Sequence, residues 1–475
     1  MENRLSDNFA INVKNINKQL NVEKNFDIIY RVIGIAGHEA CFYFIDGLNK
    51  DEILEKIMEF FYGITPEDMP ENAHEMSKLL IPYGEVDFIT DLDTLITSVL
   101  SGVPVLIIEG YEKAISIDFR TYPTRSVEEP EQDKVMRGAR DGFVETIIFN
   151  TALIRRRIRN QHLTMEYTAV GKSSKTDIVI AYMDNRVDGK LLQNIRQRIN
   201  TIEVDALTMN TESLAECLHQ GSWFNPFPKF KYTERPDSAA AAILEGSIIL
   251  LIDNSPSAMI IPTTLFEIIE EADDYYFPPI TGTYLRLTRL AVNIIALFMT
   301  PVWLLLMYNP EWIPSGLEFI KINDPINIPL VVQLLILEFA IDGLKLASMN
   351  TPSMLSTPLS VVAGIVLGDF TVSSGWFNAE TMLYMAFVAI ANYSQANYEL
   401  GYALKFLRIL MLILTGLFNV WGFAIGVAIT VFAIVSNKTI AGESYLYPLI
   451  PFNGRELLRR FFRISTKQAA KEDKN

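Results

Sequence analysis

The sequence has little of the residues that build disulfide scaffolds and metal centres. Its 475 residues contain two cysteines, Cys41 and Cys217, without the spacing of a metal site or of a disulfide framework. Its histidines are scattered: His38, His74, His162 and His219. We therefore expect reduced core cysteines and neither a metal nor a cofactor.

The sequence also lacks an excess of positive charge. Its net charge of −15 excludes nucleic acid as an expected partner, because binding a polyanion requires clustered Lys and Arg. The start, MENRLSDNFAINVKNINKQL, has no apolar core behind a basic end. We therefore expect the soluble region to be cytoplasmic.

Motifs of nucleophilic catalysis and nucleotide binding are missing too. There is no G-x-S-x-G, and no cysteine has a convincing histidine partner. GKSSKTD at 171–177 is similar to the end of a phosphate-binding loop, but Glu166 stands where a glycine is required, and we expect a helix before it. The sequence therefore predicts that the protein is not an enzyme.

What the chain does have is a strict separation of charged and apolar segments. Mean hydropathy is +0.19 although 20% of the residues are charged. Acidic runs lie before about residue 285, and apolar blocks follow from about 290 to 436. This pattern predicts a soluble region followed by an all-α transmembrane helix bundle.

The soluble region contains an internal duplication of roughly 140 residues. Each copy runs through an apolar strand, a turn and a helix, and later through helix, glycine, strand, turn and strand. The matched positions are Leu100, Gly102, Leu106, Ile108 and Ala114 against Leu244, Gly246, Leu250, Ile252 and Ala258. We predict an α/β soluble region of two duplicated subdomains.

The predicted boundaries divide the chain into five parts. These are a flexible tail at 1–25, α/β subdomains at 26–135 and 136–282, a transmembrane bundle at 286–436 and a cytoplasmic basic tail at 437–475.

Basic residues set the expected orientation of the bundle. Arg286 and Arg289 precede the first span, and RELLRRFFR at 455–463 follows the last apolar region, 408–435. Lys and Arg favour the cytoplasmic side, so an even number of crossings is expected. We predict four full crossings with one or more re-entrant or broken helices.

The second span carries ionisable residues at helical spacing. Glu338, Asp342 and Lys345 are four and three residues apart, which puts them on one face of a helix. Ionisable residues at membrane depth are costly and normally face a protein interior or an aqueous path. One explanation is a structural pair such as Asp342 with Lys345; the other is a solute path that also includes Asp369, Asn392 and Gln395.

The arginine run at 155–159 has two explanations as well. It could contact anionic lipid headgroups. The alternative is a solvated or interdomain helix end, where cations are favoured.

Several segments together resemble one protein family. They are MRGARDGFVETIIFNTALIRRRIR at 136–159, GKSSKTD at 171–177, TERPD at 233–237, LEGSIILLIDNSPSAMIIP at 244–262 and DDYY at 273–276. The sequence resembles the A subunit of the GerA family of spore germination proteins. DGLKLASMNTP in the second span and the VVAGIVLGDF block are more similar to the stage V sporulation protein AF branch than to nutrient-receptor members.

This resemblance implies a spore inner-membrane protein acting in germination. It also implies a ring-like homo-oligomer, a pentamer, with an ion-conducting pore and with membrane lipid and a second membrane subunit as further partners. The alternative is a non-conducting scaffold or sensor subunit of a germination complex.

Overall fold

The structure is a computed structural model that describes residues 4–6, 8–81, 85–121, 135–219, 225–350, 364, 371–395 and 397–463. It divides into two compact units. The N-terminal unit comprises Met1–Gln220 and Phe230–Pro262, and the helical unit comprises Gly221–Lys229 and Thr263–Asn475.

The N-terminal unit alternates helices with short strands. Its strands are β1 (Ile28–Ile35), β2 (His38–Ile45), β3 (Glu85–Ile89), β4 (Val105–Ile108), β5 (Ala114–Asp118), β6 (Leu163–Val170), β7 (Thr176–Met183), β8 (Lys231–Thr233), β9 (Ile248–Ile252) and β10 (Ala258–Ile261). Its helices are α1 (Phe9–Leu20), α2 (Asp51–Tyr62), α3 (Ala73–Leu80), α4 (Leu92–Leu100), α5 (Ile147–Arg157), α6 (Gly189–Asn200), α7 (Thr211–Leu218) and α8 (Pro236–Glu245).

The strands form two antiparallel sheets of the same topology. One has the order β1-β2-β4-β5-β3 and the other β6-β7-β9-β10-β8. The predicted duplication and fold class are therefore confirmed. The matched glycines have a common task, because both Gly102 (φ +86°) and Gly246 (φ +102°) let the chain leave a helix in the left-handed region that glycine adopts readily.

Helix α5 lies between the cores of the two subdomains. Ala152 packs into the core of the first sheet, whereas Leu153 and Ile154 pack into that of the second. A Cβ at Gly47 would lie 2.8 Å from Cγ2 of Ile148, so the first subdomain approaches α5 closely. The helix is buried on most of its circumference as a result.

The N-terminal segment differs from the flexible tail predicted for 1–25. Residues Phe9–Leu20 form α1, capped at its N-terminus by the Asn8 side chain. Ile16 and Leu20 are buried in the core of the first subdomain. Ile16 and Leu20 are at helical spacing, but the polar residues around them obscure this pattern in the sequence.

The segment before GKSSKTD is a strand, so the helix predicted there is wrong. LTMEYTAV forms β6, and GKSSK makes the turn to β7. The β-branched and aromatic residues of LTMEYTAV favour a strand. Strand β6 pairs with β7 along its whole length.

The arginine run fits the interdomain explanation at its first residue. Arg155 is fully buried, and its Nε and Nη2 donate to the two carboxylate oxygens of Asp27 at 3.0 and 3.1 Å. It therefore joins α5 to the start of β1 instead of facing solvent or lipid.

The helical unit contains the apolar helices. They are α9 (Leu265–Ile269), α10 (Asp273–Tyr276), α11 (Pro279–Tyr308), α12 (Leu330–Asn350), α13 (Thr371–Ser373), α14 (Ala379–Tyr393), α15 (Tyr398–Val435) and α16 (Gly454–Phe461), with 3₁₀ turns at Pro310–Trp312 and Ser315–Ile320. By length and composition, α11 and α15 could cross a membrane, because each contains an 18-residue stretch with a mean hydropathy of 2.2 or 2.1, respectively.

Helix α15 reverses direction within its length. Asn419 has φ +51° and ψ −125°, which is not helical, and it separates arms at 398–418 and 420–435. A Cβ at Gly426 would lie 2.7 Å from Cγ of Met411, so the arms run back along each other. The last apolar region is thus a helical hairpin, and the number of crossings stays a prediction.

Candidate functional site

The three charged residues of α12 share one face, as their spacing predicts. Glu338 is 2% exposed, while Asp342 and Lys345 are half-buried. The face is directed toward the first arm of α15, which supplies two cations, Lys405 and Arg408. We call these five residues the charged cluster.

Glu338 and Arg408 form a bidentate ion pair. Nε of Arg408 lies 2.6 Å from Oε1 and Nη2 lies 2.9 Å from Oε2 of Glu338. Arg408 is completely buried and also donates to the carbonyl of Ala296 on α11. This one guanidinium therefore connects α11, α12 and α15.

Lys405 completes the arrangement beside this pair. Its Nζ lies 2.5 Å from Oδ2 of Asp342 and 3.3 Å from Oε2 of Glu338, and it donates to the Glu338 carbonyl at 3.0 Å. Asp342 is therefore paired across helices with Lys405. The structural pair of Asp342 with Lys345, considered from the sequence, is not the arrangement found.

Lys345 interacts with aromatic faces instead. Its Nζ lies 4.7 Å from the ring centroids of both Tyr398 and Tyr402, at the start of α15. A cation over tyrosine faces is attracted by the ring quadrupole, which lowers the cost of withdrawing it from water. Lys345 therefore links α12 to α15 about one helical turn after Asp342.

The cluster is nearly balanced in charge. Two carboxylates face two paired cations, and Lys345 adds one further positive charge. Because removing one partner of a buried ion pair costs about 3–5 kcal/mol, mutual pairing is what makes the set tolerable in the interior of the helical unit.

A small, partly open pocket adjoins the cluster. It measures about 30 Å³ and is lined by Asp342, Lys345, Asn392 and Lys405 together with Tyr393, Tyr398 and Tyr402. Oδ1 of Asn392 is buried, and no other described residue donates a hydrogen bond to it. A pocket of this size has room for a water molecule.

The structure brings together only some of the residues predicted for the polar path. Glu338, Asp342, Lys345 and Asn392 lie together, whereas Gln395 lines a separate cavity of about 10 Å³ with Asn293 and Arg289. Asp369 lies outside the described residues.

Two site residues were missed at the sequence level. Lys405 and Arg408 are three residues apart in YELGYALKFLRILM, which is the spacing of one helix face. The apolar pattern places Arg408 at the edge of the last apolar region. A buried carboxylate needs a counterion, so this pair of cations is the signal in the sequence that indicates the partners.

Among the described residues there is no group of three or more His, Cys, Asp or Glu placed to hold a metal ion. The ion pairs of the cluster join α12 to α15 and place charges beside the pocket.

Comparisons with known proteins cover nearly the whole chain. A family model described as Bacillus/Clostridium GerA spore germination protein matches residues 14–475. The chain is similar to Stage V sporulation protein AF of Bacillus subtilis (strain 168), with 36% identity over 96% of this chain and 92% of that protein. It is also similar to Spore germination protein KA of the same organism, with 26% identity over 99% of this chain and 88% of that protein.

A solved structure is also similar, the N-terminal domain of the A subunit of the Bacillus megaterium spore germinant receptor GerK3. The identity is 23% and the TM-score 0.41, over 54% of this chain and 95% of that chain. The sequence matches span nearly the whole length. The chain therefore belongs to the GerA family of spore germination proteins, as its motifs predict.

Proposed function

We propose that this chain is an A-type subunit of an oligomeric ion channel that contributes to ion release during spore germination. Its bundle would lie in the spore inner membrane, with the α/β region and the C-terminal basic tail on the cytoplasmic side. The relatives support the process, because their names assign them to sporulation and spore germination.

The observation that supports conduction is the pocket beside the charged cluster. Asp342 is 36% exposed at this pocket, and Asn392, Lys345 and Lys405 also line it. Ionisable residues at membrane depth normally face a protein interior or an aqueous path. A ring of subunits would bring several such surfaces around one axis.

Charge reversal at the cavity tests the proposal. Asp342→Lys places a third cation beside Lys345 and Lys405, so we expect slower cation release from germinating spores at normal protein levels. The matched control is Glu311→Lys, on an exposed residue of the turn after α11, which should leave release unchanged. Unaltered release by Asp342→Lys would contradict a path at this cavity.

A second candidate, a non-conducting scaffold or sensor subunit, is favoured by a different observation. Glu338 is completely paired and buried, so it closes its part of the interface instead of lining an open path. Purified protein in liposomes separates the two, since a channel dissipates an imposed potassium gradient and a scaffold does not. Mass measurement of the detergent-solubilised complex adds the oligomeric state, and a monomer would contradict the ring.

A further inference from the structure

An exposed apolar surface lies on α16 and on the segment before it. Its members are large side chains that are 42–73% exposed: Leu449, Ile450, Phe452, Leu458 and Phe462. We call this set the C-terminal apolar surface. Large exposed apolar side chains concentrated in one short segment often mark an interaction site.

Helix α16 has two different faces. Arg455, Leu458 and Phe462 follow at spacings of three and four and are all exposed. Phe461 is directed inward, with its ring centroid 6.0 Å from that of Phe266. Apolar and basic residues therefore share the outer face, a combination typical of helices that lie in a membrane interface.

Ion pairs on the inner face fix α16 against the start of the bundle. Arg460 lies 2.5 Å from Oε1 of Glu267 and 3.0 Å from Oε2 of Glu270. The carbonyl of Arg459 accepts a hydrogen bond of 2.9 Å from Nη1 of Arg286 on α11. The outer face is thereby held in one orientation relative to α11.

These contacts also set the height of the surface. Arg286 precedes the apolar run at Leu290 by four residues, and a helix rises 1.5 Å per residue, so α16 lies about 6 Å from that run. The polar layer on each side of a hydrocarbon core is about 5–7 Å thick, half the difference between roughly 40–45 and 30 Å. In the proposed membrane placement, the contact between α16 and α11 thus lies at headgroup height.

We propose that this surface binds the interfacial layer of an anionic membrane leaflet, at the end of the bundle where α11 begins. The apolar side chains enter the boundary of the acyl chains, while Arg455 remains among the anionic headgroups beside Arg459, whose guanidinium also pairs with Glu456 at 3.1 Å. The inference rests on the proposed placement of the helical unit in a membrane. It adds a lipid-binding site that lies apart from the charged cluster.

The test measures the surroundings of a spin label in the full-length protein reconstituted in phosphatidylglycerol vesicles. Cys217→Ser removes the more accessible native thiol, and Cys41 is fully buried, with burial raising its pKa to about 12, so it stays unlabelled. Labels are placed through Phe452→Cys and, as a control on the exposed apolar surface of α15, Ile425→Cys. Collision rates with oxygen report lipid, and those with a neutral nickel chelate report water.

Both labels should collide several-fold more often with oxygen than with nickel, and the label at 452 should lie at the shallower depth. In phosphatidylcholine vesicles, nickel access at 452 should increase, because the arginines lose their anionic partners. Frequent nickel collisions at 452 in phosphatidylglycerol, with 425 in lipid, would overturn the inference alone. Low collision rates with both reagents at 452 would show protein contact and overturn it too. A nickel-accessible label at 425 would overturn the membrane placement as well.

Discussion

At the scale of single residues, Lys229 lies where its positive charge is disfavoured. Lys229 is half-buried, and burial lowers its pKa to about 8. Its Nζ donates to the carbonyl of Lys438 at 2.7 Å and lies 5.7 Å from the ring centroid of Tyr445. The segment that carries it is therefore held by acceptors and a ring face instead of by a carboxylate.

This shift predicts that the contact strengthens as the pH rises. Between about pH 8 and the ordinary lysine pKa of about 10.5, the opened state binds more protons than the closed state, so the free energy of opening increases with pH. We expect a gain of about 1 kcal/mol, less than the full shift because solvent reaches the side chain. Amide hydrogen-exchange protection of 225–230 and 437–446 from pH 7 to 10 measures it.

The matched control for this prediction is Lys229→Met. It retains the apolar stem and removes the titration, so its protection should change little with pH. An equal pH dependence in both proteins would show that another group is responsible.

At the scale of elements, the ion pair of α12 with α15 decides how the helices fit. Removing one partner leaves a buried charge without compensation, which costs about 3–5 kcal/mol of unfolding free energy. Glu338→Gln should therefore destabilise the bundle by about this amount, because Arg408 is completely buried. Denaturation in mixed detergent micelles measures the change.

Two further variants identify the cause. The double change Glu338→Leu with Arg408→Met removes both charges and should recover much of the lost stability. Glu318→Gln breaks an exposed pair with Lys321, at 3.3 Å, and should cost about 0–1 kcal/mol. Equal losses of unfolding free energy for Glu338→Gln and Glu318→Gln would contradict a stabilising role of the buried pair of Glu338 with Arg408.

The elements also show how far sequence patterns extend. Helical spacing was sufficient to put Glu338, Asp342 and Lys345 on one face, because periodicity is local. It could not select Lys405 as the partner of Asp342, since that depends on how α15 crosses α12. Nor did apolar length reveal the reversal at Asn419, because a hairpin and one long helix have the same composition.

At the scale of the N-terminal unit as a whole, two duplicated halves are held together at α5. Asp27, at the start of the first half, pairs with Arg155 in the second, and both are buried. Met165 in β6 donates a backbone hydrogen bond of 2.6 Å to the side chain of Asn25. The short segment between α1 and β1 thus connects both sheets.

This connection predicts a large effect from a small change. Asp27→Asn removes the charge that neutralises Arg155, so we expect the N-terminal unit to lose about 3–5 kcal/mol of unfolding free energy. Urea unfolding of the full-length protein, followed by circular dichroism of its strands, measures the loss. Asp141→Asn, at a partly exposed pair with Arg157, is the control and should cost about 0–1 kcal/mol. Similar midpoints for the two variants would argue against the connection.

The sequence by itself determined the separation into an α/β and a helical part, the duplication, and the family, because these follow from composition, periodicity and contiguous motifs. Only the tertiary structure decided that α1 packs into a core, that Arg155 is buried against Asp27, and that Lys405 and Arg408 neutralise α12. The physical reason is the separation along the chain between the residues that determine each feature. Local pattern fixes which face of an element is apolar, whereas the partner of a buried charge depends on residues that folding brings together from far along the chain.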